Sequence, residues 1–322
     1  MNGKAQDEAG YGWRVRVPAT SANLGCAFDC GGLALKLYLK ACFIPSQSPQ
    51  LTIEYKGATA DRVPLDDSNL VLQSIRFVTH YFGSADPGGR ILVESQIPVG
   101  IGLGSSAAAI IAGLLLGARY CDRDLSSEQL LRCAEEIEGH VDNAAAAYHG
   151  GLVVALGNNN DRVIAFKSDF PEQIKLVVAV PSRSVPTHQA RRALPATYRR
   201  EDVVHTLQRT ALLAATCFSG KFELFPELFD DRVHQPYRQE LVPGIARCLR
   251  HRQQGLMGIA ISGSGSSVIA FVEKNEAQIG SELQQIFSEE GIQTDVLFTS
   301  ADNQGAVVTA QQSAIGETGN RQ

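Results

Sequence analysis

A glycine turn that feeds a helix apolar on nearly every side is the feature that most restricts this chain. The run PVGIGLGSSA, beginning at Pro98, continues into AAIIAGLLLGARYC. A helix without a polar face must be enclosed by other elements, so this one is expected at the centre of a layered fold. The turn brings bare backbone N–H groups to the positive end of the helix dipole with no Cβ in the way, and a phosphate is the natural ligand for such a cradle. Other readings compete. Gly102-x-Gly104-x-x-Ala107 fits a dinucleotide fingerprint, with Asp122 about 20 residues on, but that acid stands between two helices instead of ending a second strand. A nucleophile elbow would need glycine where Ala108 stands, and the lysine of a Walker loop is missing. A plain tight turn capped by Ser105 is the structural alternative.

At 322 residues the chain has room for two domains of roughly 100–200 residues each. Lys and Arg number 29 against 34 Asp and Glu, a formal charge of −5, and no basic block is present. A nucleic-acid partner is therefore not expected. The longest apolar run, 107–116, is about half of the roughly 20 residues that cross a bilayer, so no membrane span is expected either. The opening MNGKAQDEAGYG lacks the apolar core and cleavage signal of a secretory peptide, which makes the cytoplasm the default. Seven scattered cysteines without paired CxxC spacing read as reduced, mostly buried thiols.

Periodicity supplies a coarse element order. Val15 and Val17 alternate with Arg14 and Arg16, and Leu35, Leu37 and Leu39 with Lys36, Tyr38 and Lys40, as in half-buried strands. Between Asn69 and Gly83 the spacing of Val71, Ile75, Val78 and Phe82 becomes helical. Residues 91–97 are extended and precede the glycine turn. After the apolar helix, Ser126 and Gln129 can form a capping box for a second helix with Leu130, Cys133, Ala134 and Ile137 on its buried stripe. LVVAL and IKLVVAVP are β runs, and 182–202 is polar and rich in arginine. Helices are expected at 202–218, 239–254 and 275–290, and strands at 258–261, 267–272 and 294–298. This is an α+β pattern with a boundary near residue 165. The tail after Gln311 is polar and expected to be mobile.

Five further segments carry candidate chemistry. SGSGSS, from Ser262 to Ser267, could close over the same phosphates or support the first loop from behind. PATSANLGCAFD breaks a strand into a turn bearing Asn23 and Asp29, both common turn formers. EGHVDN follows the capped helix; it is a poor transition-metal site, but Glu138 with a hydroxyl such as Ser106 would suffice for magnesium, which takes most of its oxygens from phosphate and water. Glu135 and Glu136 are either a solvated helix face or substitutes for Glu138. THQAR and HQPYR carry Arg191 and Arg238, and a planar guanidinium fork is the usual holder of a small carboxylate.

Together these segments say more than each alone. PATSANLGCAFD, PVGIGLGSSAAA and GIAISGSGSS, in this order and at these intervals, resemble the three signature motifs of the GHMP kinases, and EGHVDN, THQARRALP and HQPYRQELVPG are similar to the homoserine kinases in that superfamily. The resemblance spans roughly residues 13 to 310. It implies a two-domain α+β GHMP kinase fold: an N-terminal domain over 13–165 with a left-handed βαβ crossover, and a ferredoxin-like C-terminal domain over 166–310. It also implies ATP-dependent phosphorylation of the side-chain hydroxyl of L-homoserine, with Mg2+ as metal. By the same resemblance the phosphates lie on Gly102, Leu103, Gly104, Ser105 and Ser106, magnesium on Ser106 and Glu138, and adenine by Asn69. Asp29 with Asn23 would take the substrate ammonium, Arg191 and Arg238 its carboxylate, and His140, Asn143 and Thr187 would surround the reacting hydroxyl. Asp142 could be proposed as a base, yet it can equally hold backbone N–H groups at a helix end. The resemblance allows a homodimer. Another GHMP small-molecule kinase, of mevalonate type, and a non-catalytic relative are the alternatives. This chain departs from the family pattern at Ala27, Cys30, HVDN and SGSGSS; the last loses a proline, so a looser loop and altered nucleotide affinity are expected.

Overall fold

The computed structural model describes residues 11–157 and 162–312, so the opening segment up to Gly10 and the tail from residue 313 onward lie outside it. The chain runs through β1 (Tyr11–Asn23), β2 (Ala27–Pro45), β3 (Leu51–Gly57), α1 (Leu70–Tyr81), β4 (Gly89–Ser95), α2 (Ser105–Tyr120), α3 (Ser127–Glu138) and α4 (Asp142–His149). It continues through β5 (Leu152–Leu156), β6 (Ile164–Ser168), β7 (Lys175–Pro181), α5 (Thr187–Arg192), α6 (Arg200–Ser219), α7 (Gln235–Arg238) and α8 (Ile245–Arg250). Last come β8 (Leu256–Ile261), β9 (Val268–Val272), α9 (Glu276–Glu289), β10 (Thr294–Thr299) and β11 (Val307–Gln312). No helix among the described residues is long and apolar enough to cross a membrane.

The first sheet is ordered β11-β1-β2-β4-β3, with β5 and β6 added beside the first half of β2. β3 and β4 are parallel, and a parallel pair needs a crossover, here the segment containing α1. α2 sits at the centre as its all-apolar sequence requires, with Ala107, Ile110, Ile111 and Leu114 buried between the sheet and the other helices. Gly113 and Gly117 let it approach α1 closely: a Cβ at Gly113 would lie 2.5 Å from Val71 O, and one at Gly117 2.3 Å from Val78 Cγ1. The capping box of α3 forms between Ser126 and Gln129, worth about 1 kcal/mol to that helix start.

The second sheet has four strands in the order β10-β7-β9-β8, every pair antiparallel. Numbered within the unit this is 4-1-3-2, the ferredoxin-like arrangement, with α9 packed against β7 and β10.

Several element expectations need correction. The helix expected at 239–254 is broken: a 3-10 turn ends at Leu241, and α8 begins only after Pro243 and Gly244, because proline cannot donate and Gly244 takes φ +92°. The polar run 182–202 contains α5, too short for a periodicity to register. A boundary at 165 falls inside β6, which belongs to the first sheet, and β11 returns to pair with β1, so the first unit is assembled from both ends of the chain.

Candidate active site

A cleft of about 310 Å3 lies between the two units, and all the sequence segments singled out above contribute to its lining, the Asn69 segment through Leu70 and not through Asn69 itself. Its floor is the glycine turn. Gly104, at φ +65°, is the N-cap of α2 and supplies no side chain, so the cap is not Ser105, which is already the first helical residue. A Cβ at Gly104 would fall 1.9 Å from Thr20 Oγ1, and one at Gly102 2.1 Å from Ser262 O. Bare backbone is thus enforced by packing behind the turn, and the helix N-terminus is left open toward the cleft.

SGSGSS is the hairpin turn between β8 and β9, and it lies against the first loop. Ser262 Oγ is 2.7 Å from Gly102 O and Ser267 N donates to Ile101 O at 3.1 Å, while Gly263 N donates to Ala22 O at 3.0 Å. These bonds fasten the turn without the proline that the family pattern has. Gly263 and Ser264 also reach the cleft wall.

One wall carries Glu138, at the C-terminal end of α3. Its Oε2 is buried without a hydrogen-bond partner among the described residues, and Ser106 is a hydrogen-bonding neighbour of the carboxyl. Burial raises its pKa above the usual carboxylate range, against the lowering influence of His140 and Ser106. An orphaned buried carboxylate oxygen beside a hydroxyl and a phosphate cradle has the hard-oxygen chemistry that magnesium takes, and it is a site for a cation with few protein ligands: the described residues hold no group of three or more His, Cys, Asp or Glu suited to a metal. Of Glu135, Glu136 and Glu138, only Glu138 lines the cleft.

Beyond Glu138 the chain turns through Gly139 into α4. Asp142 Oδ1 accepts from Asn143 N at 2.7 Å and lies 3.0 Å from His140 Nδ1, so this carboxylate is engaged with the helix start and the imidazole. Burial works against protonation of His140, but Asp142 and Glu138 outweigh it and its pKa is raised. Asn143 Oδ1 receives the Thr20 hydroxyl at 2.8 Å, which fixes the amide orientation. Thr187 opens α5 opposite, 3.4 Å from Ser264 Oγ.

The charged end of the cleft is formed by Asp29, Arg191 and Arg238. Arg191 NH1 and NH2 donate to the two oxygens of Asp29, each at 3.0 Å, a bidentate pair joining β2 to α5. Both side chains are about two-fifths exposed, so water and ligands reach them. Asn23 is 4% exposed: its Oδ1 accepts from Asp29 N and its Nδ2 donates to Gly263 O, so it holds the turn that presents Asp29. Arg238 is 3% exposed, with NH1 on Gly263 O at 3.1 Å and Nε buried without a partner among the described residues.

Asn69 stands apart from this set. It lines a neighbouring cavity of about 290 Å3 that shares Ser105 and Ser106 with the cleft and is walled by Leu39, Tyr55, Pro64, Val71 and Val99. Its amide is engaged with backbone, accepting from Val71 N and donating to Pro64 O as the N-cap of α1. Sequence reasoning passed over Thr20 and His234, both fully buried beside the site; the only available signal was their place inside the segments PATSAN and HQPYR.

Comparison with known proteins agrees with this geometry. The family model described as "GHMP kinases N terminal domain" matches residues 69–151, and "GHMP kinases C terminal" matches 211–289. A homoserine kinase of Solibacter usitatus is 36% identical over 92% of this chain and 97% of its own length, and one of Desulfitobacterium hafniense is 37% identical over 92% and 99%. Among solved structures, a homoserine kinase of Cytophaga hutchinsonii superposes with a TM-score of 0.82 at 26% identity, covering 96% of this chain and 99% of that one. A mevalonate kinase at 15% identity and TM-score 0.65 shares the fold. Fold, cleft and relatives agree, and the chain belongs to the homoserine kinases of the GHMP kinase family.

Proposed function

We propose that the chain transfers the γ-phosphoryl group of ATP to the side-chain hydroxyl of L-homoserine, giving O-phospho-L-homoserine and ADP. The observation that carries this reading is the placing of Asp29, Arg191 and Arg238 at one end of the cleft whose floor is the glycine turn. An amino acid brings one ammonium and one carboxylate. Its ammonium suits Asp29 and its carboxylate suits the arginines, so a zwitterion can take over both halves of the Asp29–Arg191 pair without leaving either charge unmatched. Mevalonate, with a carboxylate and no ammonium, would leave Asp29 unanswered.

Phosphoryl transfer runs through a loose transition state, so alignment and charge stabilisation supply most of the rate. The N–H groups of residues 102–106 hold the phosphates, and the cavity beside Asn69 receives the base between apolar walls. Magnesium, held by Glu138 and Ser106, would screen the negative charge between the nucleotide phosphates. The substrate hydroxyl lies among His140, Asn143 and Thr187; its oxygen bonds to the γ-phosphorus as the bond to the ADP oxygen breaks, and its proton leaves through the phosphate oxygens. Asp142 is not needed as base, since its Oδ1 is already engaged with Asn143 N and His140.

An ADP-release assay across homoserine, mevalonate, galactose and shikimate, with and without magnesium, tests the reading: turnover should require homoserine and the metal, and equal turnover with mevalonate would reject it. Asp29→Ala is expected to raise the KM for homoserine roughly 10- to 100-fold, the loss of one charged hydrogen-bond acceptor, while the KM for ATP stays put. An unchanged homoserine KM would remove Asp29 from the ammonium site.

A further inference from the structure

Arg238 stands on α7, a helix of four residues that has too few internal bonds to hold itself in place. Its position comes from a buried polar network. Asp231, 4% exposed, accepts from Val233 N, His234 N and Gln235 N at 2.8–3.0 Å. Gln235 ties the same turn to Phe229 O and Ile261 N. These contacts place the backbone. They do not choose where the guanidinium points.

Two groups bond to the guanidinium itself, Gly263 O and the imidazole of His234. His234 is fully buried, stacked on Phe28 at a ring distance of 5.1 Å, with Nε2 2.6 Å from Gly25 O and Nδ1 3.4 Å from Arg238 NH1. Burial pushes its pKa down to about 4, so the ring is neutral near pH 7 and carries a single N–H. A carbonyl oxygen can only accept, so that proton sits on Nε2 and the lone pair of Nδ1 faces Arg238. The other neutral tautomer would set N–H against N–H, and a protonated ring would set cation against cation. Gly25 O, with Asp231 Oδ2 3.6 Å from the same nitrogen, thus selects the one form of His234 that accepts from the arginine. NH1 is then held between Nδ1 and Gly263 O, the guanidinium carbon lies 5.0 Å from the Phe28 ring centre, and Nε is left without a partner among the described residues.

We infer that His234 is a positioning residue, which fixes the Arg238 fork for the substrate carboxylate through a tautomer set by the Gly25 carbonyl. The inference rests on the reading of Arg238 as a carboxylate holder. A guanidinium anchored by one nitrogen keeps its other edge for a planar anion, and a bidentate contact is sensitive to small rotations of the fork.

The test compares kcat/KM for L-homoserine with that for 2-amino-1,4-butanediol, which has the ammonium and hydroxyl but no carboxylate. The ratio is taken on one enzyme sample, so any unfolded fraction cancels. His234→Gln can still donate to Gly25 O but has no acceptor at the Nδ1 position, whereas His234→Asn can place an oxygen there. His234→Gln should lower the ratio about tenfold, the loss of one hydrogen bond to a charged group, with the KM for ATP unchanged, and His234→Asn should recover a good part of it. Equal losses on both substrates, or equal loss of discrimination in the two variants, would overturn the inference and leave His234 a packing residue. Arg238→Gln separates the underlying reading: it should abolish most of the discrimination, and a ratio unchanged there would reject the carboxylate assignment and the positioning role with it.

Discussion

Glu138→Gln is expected to lower kcat by roughly 100- to 1000-fold, with a melting temperature equal to or above that of the parent protein. The two directions have one cause. Burial penalises the ionised carboxyl, and Oε2 has no partner among the described residues, so the ionised form is the one that gains from an added cation. The amide keeps the shape, removes that penalty, and gives magnesium a much weaker ligand. Steady-state kinetics at saturating substrates and a thermal melt without ligands check both halves. Near-normal turnover would move the metal to another group, and a large fall in melting temperature would show that Glu138 is needed for folding.

Gly102→Ala is expected to be the most damaging small substitution in the phosphate loop. The new Cβ would stand 2.1 Å from Ser262 O and 3.0 Å from Gly265 O, both backbone atoms of the opposing turn, at a φ of +85° that L residues avoid. Strain and overpacking together cost about 3 kcal/mol or more, and the displaced turn should carry Gly263, and with it Asn23 and Arg238, out of place. Both the melting temperature and the affinity for ATP should drop. Gly139→Ala is the control: φ there is +84°, but nothing lies within 4 Å of the added carbon, so only the conformational cost of about 1 kcal/mol applies. Equal destabilisation by the two would mean that the contact with Ser262 is not what demands glycine at 102.

What could be read from the residues alone was what local physics decides. The all-apolar α2, the helical spacing that gave α1, and the Ser126–Gln129 box all lie where expected, because each depends on neighbours within a few positions. The signature segments likewise marked the residues around the cleft. Less accessible were features made by distant partners. The Asp29–Arg191 pair joins residues 162 positions apart, and no periodicity carries that information. α4 follows α3 after only three residues, and its run of alanines has no stripe to separate it from its predecessor. Only the resemblance puts Asn69 by the adenine; its amide caps α1, a role that Asn before a helix fills by default, while the residue lines the cavity beside the phosphate loop. His234 carried no signal beyond its place in HQPYR; its setting depends on Gly25, 209 residues earlier.

The pairing of β1 with β11 bears on how this molecule is made. Tyr11 sits opposite Gln312 and Arg16 opposite Val307, and Gly151 N bonds to Asp302 O, so the strand that covers β1 comes from a segment that follows the whole second unit in the chain. During synthesis on the ribosome, β1 keeps one row of hydrogen-bonding groups open until the second unit has emerged behind it, an exposed edge of the kind that invites wrong pairings. The first sheet is therefore completed only after the second unit, when β11 reaches back to β1.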